Sequence, residues 1–303
     1  MKHQRELGIG LATFGSLLWG VSGPASEHIF GYGVSVSWLI SSKMLMAGVV
    51  TMILALLIDK RHVLDPWRTK KDAIQMIIFI IFGMVTMQYI YFKAVEVANA
   101  ATATILQYLA PVLIMVIMAI RSRSLPRRID VVVIAMALFG TALVVTKGHF
   151  TQLAISPRAF FWGIMAAWAA VAYNMLPEGL LARHSPLTVT AWAQLLGGIG
   201  MTIYHPFWVG IPHMPADGWW SYAFIVVFGT IVAYLVYLAS LQYISAEAAS
   251  LLDAFEPLGA TVVAVTLLHL HMGPAELAGG AIIIATVALM VITTPKAPQL
   301  KEN

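Results

Sequence analysis

The sequence predicts an all-α membrane protein with ten transmembrane helices, arranged as two inverted five-helix repeats. Three observations carry this. Of the 303 residues, 60% are hydrophobic and only 11% charged, which leaves too little polar surface for a chain dissolved in water. Residues 83–147 read as a copy of residues 229–293 without a gap: Gly83 aligns with Gly229, Tyr91 with Tyr237, Ala100 with Ala246, Ala103 with Ala249, Leu106 with Leu252 and Pro111 with Pro257. Apolar composition raises chance identity, but it does not align prolines. Finally, lysine and arginine cluster in alternate connections, as a polytopic chain requires.

A bilayer core of about 30 Å takes roughly 20 apolar residues per helical span, and a spanning segment must satisfy its own backbone polar groups. The first span is expected over 7–27; it follows the polar MKHQRE and runs past Trp19 without a small-x-small cleavage site, so it reads as a retained helix rather than a signal peptide. Spans 34–58 and 73–97 flank the longest polar connection, Asp59 to Asp72. Span 99–120 centres on Pro111, and 129–147 closes the first repeat, taken as 1–150. In the second repeat, 151–303, spans are expected over 158–181, 187–209, 219–243, 247–268 around Pro257, and 275–294. Proline removes a backbone donor and bends a helix, so Pro111 and Pro257 are candidate hinges at matched positions, and Pro24 and Pro177 are expected to interrupt helices 1 and 6.

With the N-terminus inside, only Lys147 and Arg158 of the 18 Lys and Arg fall outside, while Lys43 and Lys93 lie within or near the end of a helix. The positive-inside bias therefore places both termini in the cytoplasm of a multi-pass protein of the cell (inner or plasma) membrane. Five helices per repeat turn the second copy upside down. The net charge of +4 is spent on topology and suits anionic headgroups; it does not indicate nucleic acid. The absence of cysteine excludes disulfides and thiolate metal sites.

Inverted repeats of this kind place a small-molecule site near the membrane midplane, between the halves. Trp19 and Trp168 sit at that depth, together with Tyr89, Tyr108, Tyr173 and Tyr234. Their faces can stack on an aromatic ligand or hold an organic cation. The repeat pairs Gln88 with Tyr234, Tyr91 with Tyr237 and Gln107 with Asp253. The candidate substrate contacts are therefore Trp19, Gln88, Tyr91, Gln107, Trp168, Asn174, Tyr234 and Tyr237. Trp38, Trp162, Trp208, Trp219 and Trp220 fall near outer helix ends, where an interfacial belt is expected.

Charge at membrane depth needs a partner, water or a function. Three such groups are read from the sequence: Lys43 in helix 2, and Asp253 and Glu256 one turn apart in helix 9. One acid can neutralise Lys43 and the other carry a proton; alternatively, Lys43 and one acid simply lock helix 2 to helix 9.

These residues carry a resemblance. The chain resembles the drug/metabolite transporter superfamily, EamA type, in Leu18-Trp19-Gly20 and the corresponding Trp168-Ala169. The first-repeat pattern Ala94, Ala100, Ala103, Leu106, Pro111 and the second-repeat pattern Ala246, Ala249, Leu251, Leu252, Glu256, Pro257, Leu258 add to it. Lys43 stands where the family usually has Arg, and Gln194 where it commonly has Gln. The Gly-Glu-Arg-Leu-like turn of the family is absent, with Arg121 to Leu125 and His269 to Gly273 in its places. The resemblance implies a gradient-driven carrier of small metabolites, amino acids or organic cations, with export the expected direction and protons as a candidate coupling ion. A non-transporting scaffold or receptor, and a membrane enzyme acting on lipid-linked substrates, are the alternatives. No metal or other cofactor is expected: His269 and His271 lack acids to complete a metal site, and the chain has no phosphate-cradling loop, His-Glu-x-x-His or Gly-x-Ser-x-Gly.

Overall fold

The computed structural model describes residues 2–121, 123, 128–149, 154–240, 243–244, 252, 255–266, 269 and 271–293, and among these there is no strand. The first copy contains α1 (Lys2–Phe30), α2 (Val36–Ile58), a 3-10 segment (Lys60–Trp67), α3 (Lys70–Ile78) continued by a π turn (Phe79–Val85) and α4 (Thr86–Val97), α5 (Ala100–Gln107), α6 (Ala110–Arg121) and α7 (Arg128–Thr146). The second contains α8 (Pro157–Met175), α9 (Glu178–Leu181), α10 (Pro186–Tyr204), α11 (Ala216–Val226) continued by a π turn (Val227–Val232) and α12 (Ala233–Ser240), α13 (Phe255–Thr266) and α14 (Pro274–Thr293). Among the described residues, six stretches are long and apolar enough to cross a membrane: Glu6–Phe30, Val36–Ile58, Lys70–Val97, Ala100–Arg121, Pro157–Leu181 and Ala216–Tyr237; Val131–Val144 and Pro274–Thr286 are shorter apolar helices.

The duplication is visible in local geometry. Both π turns fall at equivalent places, around Gly83 and Gly229. In each, a threonine hydroxyl donates to the carbonyl five residues back: Thr86 to Ile81 at 2.7 Å and Thr230 to Ile225 at 2.8 Å. Such a bond suits the widened turn, because it occupies a carbonyl that an α-helical ladder would use.

Packing exchanges elements between the copies. Helix α1 lies against α11, α12 and α13 of the second copy, while α8 lies against α4, α5 and α6 of the first. The remaining equivalent helices pair with one another, α2 with α10 and α7 with α14. Small residues permit the closest approaches. A Cβ on Gly48 would sit 2.5 Å from the Leu195 backbone, and one on Gly198 would sit 2.5 Å from the Leu45 amide nitrogen. Residue numbers rise along α2 as they fall along α10, so the two helices run antiparallel.

Polar clusters tie the exchanged elements at both ends of the bundle. At one end Tyr32 donates to Asp217 (2.6 Å), and His28 reaches Ser221 (2.9 Å) and Asp217 (3.3 Å), joining α1 to α11. At the other, Arg183 donates to Asp72 through Nε (3.0 Å) and Nη2 (2.5 Å), and His184 meets the second carboxylate oxygen at 3.1 Å. Gln75 adds a bond to the Leu176 carbonyl at 2.9 Å, so α3 is held to the end of α8 and to α9. In the connection beside this cluster, the hydrogen bond from His62, aided by Arg68, holds the Asp65 carboxyl below the usual range.

Of the four prolines singled out in the sequence, two coincide with a helix break or end. The fourth helix breaks at Tyr108–Leu109, one turn before Pro111, and α8 ends just before Pro177. Pro24, expected to interrupt helix 1, lies inside an unbroken α1; membrane helices tolerate proline where neighbours supply the packing. The backbone of Pro257 falls in the first turn of α13, and the residues just before it lie outside the described set. Trp38, expected in the interfacial belt at an outer helix end, is only 4% exposed and donates its indole N–H to the Phe207 carbonyl at 2.7 Å. Trp208 and Trp220 are exposed.

Candidate functional site

The exchanged packing brings α1 into the middle of the molecule, where its small residues let neighbours approach. A Cβ on Gly20 would lie 2.3 Å from the Glu256 carbonyl oxygen, and one on Gly229 would lie 2.5 Å from Ser22 Cβ. Trp19, on the same helix, meets Tyr234 edge-on and Tyr237 at a tilt, both with ring centroids at 5.0 Å. Tyr234 hydrogen-bonds Tyr173 of α8, so the aromatic cluster reaches across to the other exchanged group. Glu256 lies within electrostatic reach of both Tyr91 and Tyr234. Tyr91 is buried, shares a 2.9 Å hydrogen bond with Thr104, and stands against Gly23 of α1, where a Cβ would come within 2.6 Å of its hydroxyl oxygen.

Five of the residues singled out in the sequence, Trp19, Tyr91, Tyr234, Tyr237 and Glu256, therefore converge on one region between α1, α4, α12 and α13. Gln107 stands at the helix break before Pro111; it is buried, and its side-chain carbonyl oxygen has no hydrogen-bond partner among the described residues. The other three are placed elsewhere. Gln88 is buried in the seam facing α10, where it donates to Gln194 at 3.3 Å and to Met84 Sδ at 3.4 Å. Trp168 is 47% exposed on α8. Asn174 is exposed and turns its amide back to the Ala170 carbonyl at 2.8 Å.

Lys43 is 4% exposed, and its ammonium lies over the Phe92 ring, 4.3 Å from the centroid. Among the described residues it has no ion-pair partner; Asp253 lies outside that set. Sequence reasoning missed two residues here. Tyr173 was recognised as mid-membrane but not as the partner of Tyr234. Glu27, at the end of α1, accepts a 2.8 Å hydrogen bond from the Ala100 backbone N–H at the start of α5; its signal was a carboxylate just where the first apolar run was expected to stop.

A separate hollow of about 480 Å3 opens at the Asp72 end, lined by Asp59, Lys60, Arg61, His62, Arg183 and Thr188 among others. Its wall is made of charged connections, unlike the aromatic region. Among the described residues no group of three or more His, Cys, Asp or Glu is arranged to hold a metal.

Comparison with known proteins agrees with this construction. The EamA-like transporter family matches over residues 6–146 and again over 157–292. An uncharacterized inner membrane transporter of Salmonella typhimurium, YicL, is 32% identical over 91% of this chain and 92% of its own length. An uncharacterized transporter of Bacillus subtilis, YyaM, is 22% identical over 87% and 86%. A crystal structure with 20% identity superposes at a TM-score of 0.62, covering 94% of this chain and 96% of the other, a likeness of fold. The chain belongs to the EamA-like transporter family and is a multi-pass membrane transporter of small molecules, not an enzyme.

Proposed function

We propose that this protein is a secondary active exporter of small metabolites carrying an ammonium group, amino acids or related amines, working by alternating access in the inner membrane. The observation that carries the reading is the Trp19–Tyr234–Tyr237 cluster with Glu256 in electrostatic reach of Tyr234. Aromatic faces and a carboxylate together suit a cation with an apolar body. The antiparallel pairing of α2 with α10 supports an inverted repeat of five spans per copy, ten in all, with halves 1–150 and 151–303. Positive-inside counting then puts the Asp72 end and both termini in the cytoplasm and the Tyr32 end outside. In this reading α1 with α11–α13 rocks against α3–α6 with α8, and Pro111 and Pro257 supply the bends.

Trp168, Gln88, Gln107 and Asn174 complete the proposed contacts in other access states, and Lys43, Asp253 and Glu256 form the coupling group. The test is uptake into liposomes holding only the purified protein, with a panel of amino acids, amines and organic acids. Trp19→Ala should raise the half-saturating concentration about tenfold, since each lost aromatic pair is worth roughly 0.5–1.5 kcal/mol; Trp208→Ala, at an exposed ring, should change it little. Equal effects of the two substitutions, or flux of organic acids alone, would defeat this assignment.

A further inference from the structure

We propose that Glu27 is a proton-binding site that latches the outer mouth of the transport path; this rests on the alternating-access reading above. Helix α1 packs chiefly with α12 and α13, whereas α5 packs chiefly with α8, with further contacts to α13, α4 and α1. The Glu27–Ala100 hydrogen bond therefore joins the two groups of helices that must part for the outer mouth to open. Its acceptor is a carboxylate and its donor is one of the first backbone N–H groups of a helix, which intrahelical bonding leaves unpaired. Asn99 satisfies another of them, accepting from Thr102 N–H at 2.8 Å. The charged carboxylate gains from the positive end of the helix dipole as well as from the bond itself.

The rest of the closure lies one turn deeper. Tyr91, Thr104, Gly23 and Ala100 meet there with no room for a side chain on Gly23. Prying α1 from α5 must first break the Glu27 bond. Binding a proton at a Glu27 carboxylate oxygen removes the charge, so the Ala100 N–H keeps only a weaker neutral acceptor and the mouth is freed to open. External acid would then load this site and favour the outward-open state. The ionisable groups on the elements packed around this corner are Tyr91 and the Lys93/Glu96 pair on α4, Tyr234 and Tyr237 on α12, Arg158 and Tyr173 on α8, Glu256 on α13, Asp217 on α11, and His28 and Tyr32 beside Glu27. Of these His28 is the competing proton acceptor, since it already contacts Asp217.

The chain has no cysteine, so Ala103→Cys, fully buried one turn inside Ala100, reports opening by its labelling with a membrane-impermeant thiol reagent applied from outside. Labelling is normalised to Ile211→Cys, at an exposed loop position, to remove the reagent's own pH dependence. Normalised labelling in the parental background should be low at mildly alkaline pH and rise about fivefold at mildly acidic pH, the ratio separating charged from neutral hydrogen bonds. Glu27→Gln should label at the high level at both pH values. Glu27→Asp, shorter but still titratable, should keep a pH response from a higher starting level, and covers the case in which Glu27→Gln does not fold. The proposal is overturned if parental labelling is flat with pH, if Glu27→Gln keeps the parental response, or if His28→Gln removes the response while Glu27→Gln does not. Failure of the transport reading would show separately, as absence of flux in liposomes for every substrate of the panel.

Discussion

Glu256 precedes Pro257 in the sequence and lies within electrostatic reach of Tyr91 and Tyr234. A charged carboxylate resists occlusion in a low-dielectric site far more than a neutral one, so its protonation can set which way the halves rock. Glu256→Gln should therefore abolish the pH dependence of transport and raise the half-saturating concentration of an ammonium substrate, because the amide keeps the polar contacts of a protonated carboxyl but not the charge that attracts the cation. Unchanged proton-driven flux in Glu256→Gln, in Asp253→Asn and in the double variant would remove both acids from the coupling. At this scale the sequence disclosed which residue types lie deep but not which way they face. Trp19 and Tyr234 were placed together by their depth. Gln88 was assigned to the cavity because the repeat aligns it with Tyr234, although its side chain donates to Gln194 in the α10 seam. Helical depth follows from counting along the chain, whereas azimuth needs the neighbours, and an apolar helix in lipid shows little periodicity to reveal it. Glu27 escaped notice for a related reason: at a helix end a carboxylate reads as solvated, and only the tertiary approach of α5 gives it a bound partner.

Single helices were legible in extent where apolar runs are bounded by polar connections, as for α2, expected over 34–58 and observed over Val36–Ile58. Their irregularities were partly legible. The break before Pro111 follows from the missing proline N–H, but the paired π turns depend on threonine side chains bonding five residues back, a choice the apolar pattern does not encode. The glycines at 197, 198 and 200 of α10 divide in the structure. Gly198 faces the α2 backbone, whereas a Cβ on Gly200 meets nothing within 4 Å. Gly198→Ala should then push α10 off α2 and lower the melting temperature in detergent, by an overpacking cost of about 1–3 kcal/mol. Gly200→Ala should leave it unchanged or raise it slightly, since alanine favours the helix. A matched loss at both positions would mean that helix propensity, not the α2–α10 contact, governs the response.

For the whole molecule, the duplication in the sequence foretold the two-fold plan but not the exchange of first helices between copies, because pairing between distant segments leaves no trace in either one alone. The exchange gives the end clusters their meaning. Asp72 with Arg183 and His184, and Asp217 with Tyr32 and His28, each join the first helix of one copy to the third of the other. The two clusters sit at opposite ends of the bundle, so an inserted protein must expose one to each side of the membrane. Counting lysine and arginine assigns the Asp72 cluster and the Lys60–Arg68 connection to the cytoplasm. Single cysteines at Leu64 and at Ile211, both exposed, test this in a chain that has none of its own. In intact cells an impermeant reagent should label Ile211→Cys and leave Leu64→Cys unlabelled until the membrane is permeabilised. The reverse pattern would invert the orientation and turn the Glu27 latch toward the cytoplasm. Labelling of both in intact cells would break the assignment of the two clusters to opposite faces, and with it the rocking of two exchanged helix groups about a central aromatic site.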